Sequence, residues 1–320
     1  MIMSAIMCPG FKAAGIASGL KKNGQKDLGL IYSEVPAKVA GVFTKNRVKA
    51  APVLLDMELV KSGSCQAIIV NSGNANCCTG EQGLRDAKTM ARLTASELGI
   101  PNELVFVAST GVIGEPLPIE KIKTGVPDLV RSLQPKGIPD LARSIMTTDS
   151  VPKTALAQGV VEGKTFTVAG VAKGAGMIRP DMATMLCFVF TDVEAPPDIL
   201  KETLVKAADR SFNRITIDGD TSTNDTVMVM ANGLSGAVIG SLDHKNNFQK
   251  VLDEIFLNLA KQLVKDGEGV TKLVELVVRG AVSDSDARKV ADTVAHSPLV
   301  KTSFFGEDAN WGRIVGAVGR

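Results

Sequence analysis

The sequence predicts an α/β protein built in layers, with short apolar strands alternating with amphipathic helices along its whole length. One set of observations is a series of apolar runs of strand length, among them QAIIV (66–70), LVFVAS (104–109) and MLCFVF (185–190). A second set is stripes at helical spacing, such as Leu200, Leu204, Ala207, Ala208 and Phe212. Third, the two kinds of segment interleave without a fixed repeat, a low-complexity stretch or a long linker.

Taken in order, residues 10 to 50 carry two strand candidates, LGLIYS and VAGVFT, around a Gly- and Lys-rich turn. QAIIV runs directly into NSGNANCCTGEQG, a loop of small polar residues that suits a site rim or a plain turn. Thr79 with Gln82 three residues later reads as a capping box ahead of Leu84, Ala87, Ala91 and Leu98, and Gly99 stops that helix. The strand LVFVAS ends at Thr110-Gly111. That pair can offer a hydroxyl and a backbone N–H to a developing oxyanion, or it can be only a turn. SIMTTDS (144–150) is a polar loop, and residues 165 to 172 form another strand. Pro196 and Pro197 open the helix that carries the Leu200 stripe. The acidic loop IDGDTSTND invites a calcium reading, but Thr223 stands where glycine is needed and Val229 where glutamate is needed, so calcium is rejected. Residues 227 to 230 give a strand, 248 to 263 a helix ended by Gly267, 273 to 278 a strand, and 284 to 295 a helix. Glu268 lies between two glycines on a flexible turn, where a carboxylate is more often solvated than functional.

Composition narrows the function classes. A chain of 320 residues at 45% hydrophobic supports a large core, as one big domain or two moderate ones. No apolar run approaches the roughly 18 residues of a membrane span, and the N-terminus lacks a basic region before its apolar patch, so a cytoplasmic location is expected. Five cysteines without CxxC spacing suggest neither a disulfide framework nor a zinc site. A net charge of +2 with 4% aromatic residues gives no support for a nucleic-acid surface. The two histidines, His244 and His296, lie far apart in sequence and give a histidine-based triad little support.

The stretch richest in chemistry is VAKGAGMIRPDMATMLCFVFTD (171–192). Gly174 and Gly176 permit close backbone approach, Lys173 supplies a positive charge, and Pro180 stiffens the turn before the strand. At the Ala183-Thr184 join, the threonine hydroxyl could attack the preceding carbonyl, shift the acyl group from nitrogen to oxygen, and leave Thr184 as a new N-terminus after hydrolysis. An α-amine titrates at about 7.7 to 8.0, so such a threonine carries its own base. The alternative is a threonine that opens a strand for its β-branching alone.

With these segments in hand, the chain resembles the ornithine acetyltransferase family, the bifunctional glutamate N-acetyltransferases of arginine biosynthesis. The residues that carry the resemblance are GFKAAGIASG, NSGNANCCTGEQG, STGVIGEP, IMTTD, AKGAGMIRPDMATML, FNRITIDGDTSTNDTV, DGEG and FGEDANWGRI, in the family's order. The resemblance implies an αββα sandwich similar to N-terminal-nucleophile hydrolases, with a nucleophile-bearing core over 1–240 and a smaller α/β region over 241–320. It implies self-cleavage between Ala183 and Thr184 into an α chain and a β chain, assembling as a heterotetramer. Thr184 resembles the nucleophile, Thr110 and Gly111 the oxyanion stabilisers, and Thr147, Lys173, Thr184 and Glu268 the substrate contacts. The implied reaction passes acetyl from N-acetylornithine to glutamate through an acetyl-threonine, without a cofactor; bifunctional members also accept acetyl-CoA as a donor. Nucleic acid and membrane are not expected as partners. Family members run on beyond NWGRI, so residues 241–320 are expected to be incomplete, as a fragment or a natural truncation. Two rival expectations stand beside the transferase: an amidase or aminopeptidase of the same nucleophile class, and an inactive remnant.

Overall fold

A computed structural model describes residues 6–179 and 185–320. Its strands are β1 (Phe11–Ile16), β2 (Leu28–Phe43), β3 (Ser64–Asn74), β4 (Val105–Val112), β5 (Lys153–Val161), β6 (Lys164–Lys173), β7 (Leu186–Thr191) and β8 (Thr226–Ala231). Its helices are α1 (Ala51–Leu59), α2 (Gly80–Leu98), α3 (Ile119–Arg131), α4 (Ile138–Ser144), α5 (Pro197–Arg210), α6 (Leu242–Lys265), α7 (Asp284–Ala295), α8 (Pro298–Phe305) and α9 (Trp311–Val318).

The two candidates LGLIYS and VAGVFT form one long strand, β2, and Pro36 lies between them. Proline has no N–H to give to a ladder, and the register of β2 against β3 shifts between Tyr32 and Ala37. β2 pairs with β3 up to Tyr32 before the shift and at Ala37 and Lys38 after it, and Lys38 to Phe43 pair with β8 on the other side. Among the described residues the strands hydrogen-bond in the order β4-β3-β2-β8-β7-β6-β5, with β1 also on β2.

That sheet is folded over so that its two halves face each other. Ile31, Ile68 and Phe106 from one half share a core with Val171, Phe188 and Met228 from the other. The rings of Phe11 and Phe190 meet across it at 5.3 Å. On one outer face, Leu30, Ile69 and Val107 pack under Met90 of α2 and Ile122 and Leu129 of α3. On the other, Val168, Val189 and Val229 pack under Leu204 of α5 and Leu252 and Phe256 of α6. The layers are therefore helix, sheet, sheet, helix, as expected. The continuous apolar run MLCFVF follows from this, since Leu186, Phe188 and Phe190 face inward and Cys187 and Val189 face the helices.

Two local readings differ from the structure, and several elements went unread. The Thr79 hydroxyl donates to Asn76 Oδ1 at 2.8 Å instead of capping α2, and Gln82 reaches Asp86 instead of closing a box. Residues 273 to 278 form no strand; Leu273 and Val277 are 52% and 65% exposed, and no described strand lies alongside to share hydrogen bonds. Helix α3 went unread because Gly125 and Pro127 interrupt its pattern, although Ile122, Val126 and Leu129 are buried at helical spacing. The last three helices share a small cluster of Val294, Val300 and Ala317.

Because Phe190 joins the two halves, Phe190→Ala should cost about 3–5 kcal/mol in denaturant unfolding. A loss below about 1 kcal/mol would show that the facing sheets do not depend on this contact.

Candidate active site

The site is built where strand ends from the two halves converge. In the first half, β3 and β4 run parallel and finish side by side at Gly73 and Gly111. A Cβ on Gly111 would sit 2.3 Å from the carbonyl carbon of Gly73, and its φ of +136° is one that L side chains rarely adopt. Glycine is thus required at this turn. The asparagines of NSGNAN hold it from behind. Asn71 Oδ1 accepts from Ser109 Oγ at 2.6 Å, and Asn74 Nδ2 donates to the carbonyls of Glu115 and Pro116 at 3.1 Å each. Asn224 Nδ2 donates to Ala75 O at 2.7 Å and Ser109 O at 2.8 Å. The polar loop is an internal scaffold, and its output is the fixed position of Thr110.

From the second half comes Lys173, the last residue of β6, whose Nζ donates to Thr110 Oγ1 at 3.0 Å. Lys173 is buried, and burial is the main force pulling its ammonium below the ordinary lysine range, against the nearby Asp149 carboxylate. In the sheet register Lys173 pairs with Leu186 of β7. The amide of Met185 donates to Asp225 Oδ1 at 3.0 Å, and burial pushes the Asp225 carboxyl well above the usual carboxylate range. Ala183 and Thr184, the expected cleavage pair, lie outside the described residues.

Beneath Lys173 sits a buried ionic group. Asp149 Oδ1 accepts from Gly174 N at 2.7 Å and from Lys153 Nζ at 2.6 Å, while its Oδ2 accepts from Thr147 N at 3.0 Å. Lys153 Nζ also donates to Asp266 Oδ2 at 2.5 Å. Burial pushes Asp149 upward, but Lys173 and Lys153 outweigh it and hold the carboxyl below its ordinary value. Glu268 follows two residues after Asp266, exposed, with its amide donating to Ala175 O at 2.7 Å. A Cβ on Gly176 would lie 2.8 Å from the Glu268 carboxylate, so the glycine lets that carboxylate rest against the loop.

Of the residues read from the sequence, Thr110 and Lys173 are thus in direct contact, Gly111 adjoins them, and Thr147 and Glu268 are tied to the same loop through backbone hydrogen bonds. Asp149, Lys153, Asp225 and Asp266 were not singled out. For Lys153 a signal existed: on β5 it shares the buried, helix-covered face with Ala155, Gly159 and Val161, where an unpaired lysine would be costly. Among the described residues no helix is long and apolar enough to cross a membrane.

The ArgJ family model matches residues 12–320. The arginine biosynthesis bifunctional protein ArgJ of Geobacter sulfurreducens is 53% identical over 312 residues, 97% of this chain and 79% of that protein. A crystal structure of the arginine biosynthesis bifunctional protein ArgJ of Bacillus halodurans, 46% identical, superposes with a TM-score of 0.52 over 56% of this chain and 92% of that one. The L-aminopeptidase D-Ala-esterase/amidase of Ochrobactrum anthropi, described as a variant of the Ntn hydrolase fold, is 11% identical with a TM-score of 0.51, over 83% of this chain and 88% of that one. The last likeness concerns the fold alone.

A carboxyl held low in the folded state adds stability above its unfolded value, near pH 4, and that stability is lost as pH falls through the folded value. Asp149→Asn should therefore lower the melting temperature at neutral pH and give a shallower decline than the wild type below about pH 4. Parallel melting curves for the two proteins would contradict the ionic role of Asp149.

Proposed function

The chain belongs to the ArgJ family, and on that footing we propose that it transfers acetyl from N-acetylornithine to glutamate, yielding ornithine and N-acetylglutamate. The observation that carries the reading is the 3.0 Å contact between Lys173 Nζ and Thr110 Oγ1. Lys173 is paired with Leu186, two positions after Thr184 in sequence, so this contact supports Thr110 as a neighbour of the chain that bears the nucleophile.

In the proposed reaction, self-cleavage between Ala183 and Thr184 first frees the threonine amine. That amine takes the proton from the Thr184 hydroxyl as its oxygen attacks the acetyl carbonyl of N-acetylornithine. Thr110 and Gly111 stabilise the oxyanion; the carbon–nitrogen bond then breaks, and ornithine leaves with the proton on its amine. The amine of glutamate attacks the acetyl-threonine and gives up its proton to the same base; the ester bond to the Thr184 oxygen breaks, that oxygen takes the proton back, and N-acetylglutamate departs. Lys173 meets a substrate carboxylate, Glu268 meets the ornithine ammonium, and Thr147 lines the same loop. The α and β fragments remain associated, as a heterotetramer, in the cytoplasm. No cofactor enters this sequence of steps.

N-acetylornithine is proposed as the principal donor and acetyl-CoA as a secondary one. Lys173 and Glu268 offer one charge of each sign, which suits a zwitterionic amino acid better than a CoA tail.

Thr184→Ala should run as a single band under denaturing conditions and transfer no acetyl, whereas the wild type should run as two bands. Thr110→Ala should lower kcat by about 100- to 1,000-fold with a smaller change in KM. Two bands in the first variant would remove Thr184 as the self-cleaving residue, and a normal kcat in the second would remove Thr110 from the oxyanion role.

N-acetylglutamate formation from each donor alone should be faster with N-acetylornithine. Comparable turnover with acetyl-CoA would overturn the donor preference and leave the threonine chemistry untouched. With glutamate withheld, ornithine release should stop after one equivalent; continued release would mark the protein as a hydrolase.

A further inference from the structure

Lys153 is fully buried, and its two carboxylate partners are 0% and 7% exposed at their side chains. Removing an ammonium from water costs several kcal/mol, which only close and well-bonded partners offset. The way these partners are shared is informative. Asp149 binds the amides of Thr147 and Gly174, the residue after Lys173. Asp266 accepts from Ser150 N at 3.0 Å, from the Ser150 hydroxyl and from Lys153, and it stands two residues before Glu268. One ammonium therefore ties together the loop of Thr147, the end of β6 that carries Lys173, and the turn that carries Glu268. Charge accounts for part of this: Lys153 and Lys173 are balanced by Asp149 and Asp266, and although burial pushes the Asp266 carboxyl upward, Lys153 and Ser150 outweigh it and hold it below its ordinary value.

We infer that Lys153, acting through Asp149 and Asp266, is a positioning residue that fixes the separation between the Lys173 cation and the Glu268 carboxylate, and so sets the length of diamino acid the site accepts. The inference rests on the proposed roles of Lys173 and Glu268. With both charges anchored to one buried centre, a substrate whose carboxylate and ammonium are one methylene further apart would have to compress or give up a contact. A pocket distinguishes one methylene by roughly 10- to 200-fold. A cluster that served stability alone would have no such effect on selectivity.

The test is steady-state acetyl transfer to glutamate from N-acetylornithine and from N-acetyllysine, with melting temperatures measured alongside. Asp266→Asn keeps the side-chain volume but loosens the tie to Lys153. It should raise KM for N-acetylornithine about tenfold, lower kcat less than about threefold, and reduce the preference for N-acetylornithine over N-acetyllysine about tenfold. Ser150→Ala, which removes a hydroxyl contact to Asp266 and leaves the ions in place, should move the same ratio in the same direction by less. If Asp266→Asn does not fold, Ser150→Ala decides on that ratio. A fall in melting temperature or kcat with KM and donor preference unchanged would overturn the positioning role, as would no change at all. Transfer by the wild type is judged separately, because its absence would overturn the proposed reaction and the positioning role with it.

Discussion

Pro36 cannot donate to either neighbour of β2, and the strand slips register between Tyr32 and Ala37, which lets one strand pair with β3 at its start and β8 at its end. Both layers hang from this bend. It turns the two halves of a hydrogen-bonded sheet to face each other, and the inner core of Ile68, Phe106, Phe188 and Met228 forms between them. The functional consequence is a meeting of residues that sequence keeps far apart. Thr110 ends a strand of one half and Lys173 ends a strand of the other, 63 residues later, and the fold brings their polar atoms into a hydrogen bond. Neither strand alone makes a site.

The second constraint is electrostatic. Lys173 and Lys153 are both buried, a condition that few proteins tolerate without compensation. Asp149 lies against one by hydrogen bond and near the other by charge, and Asp266 completes the set. Burial still wins at Lys173, whose ammonium stays easier to deprotonate than a free lysine. A group in that state gains from an incoming carboxylate, because the new anion restores charge stabilisation that water no longer supplies.

Most of the strands and the helices α2, α5, α6 and α7 were legible because their patterns are governed by burial. The run at 185–190 is apolar throughout since both faces are covered, and the stripe beginning at Leu200 is buried against the sheet. Residues whose role depends on pairing across the chain were not legible. Asp149 reads as a loop aspartate, and Asp266 as a helix-end residue, until the structure places Lys153 between them. Thr110, Gly111, Thr147, Lys173 and Glu268 entered through family resemblance. Bare spacing gave the Thr110-Gly111 turn two readings and Glu268 a solvated one. The failed capping box has the same origin: Thr79 has a better partner in Asn76, which local sequence cannot rank against a helix amide.

Asp225 adds a last step to the charge balance. It is fully buried, accepts from the amide of Met185, and is driven upward by burial more strongly than Lys173 draws it down. Burial therefore disfavours the charged form of this carboxyl. It holds the start of the strand that follows Thr184 through the Met185 amide. Both Asp149 and Asp225 draw Lys173 toward its charged form, against burial. Two aspartates near one lysine thus differ by environment: Asp149, shared with a second lysine, is held below its ordinary value, and Asp225, hydrogen-bonded by neutral donors, is pushed above it.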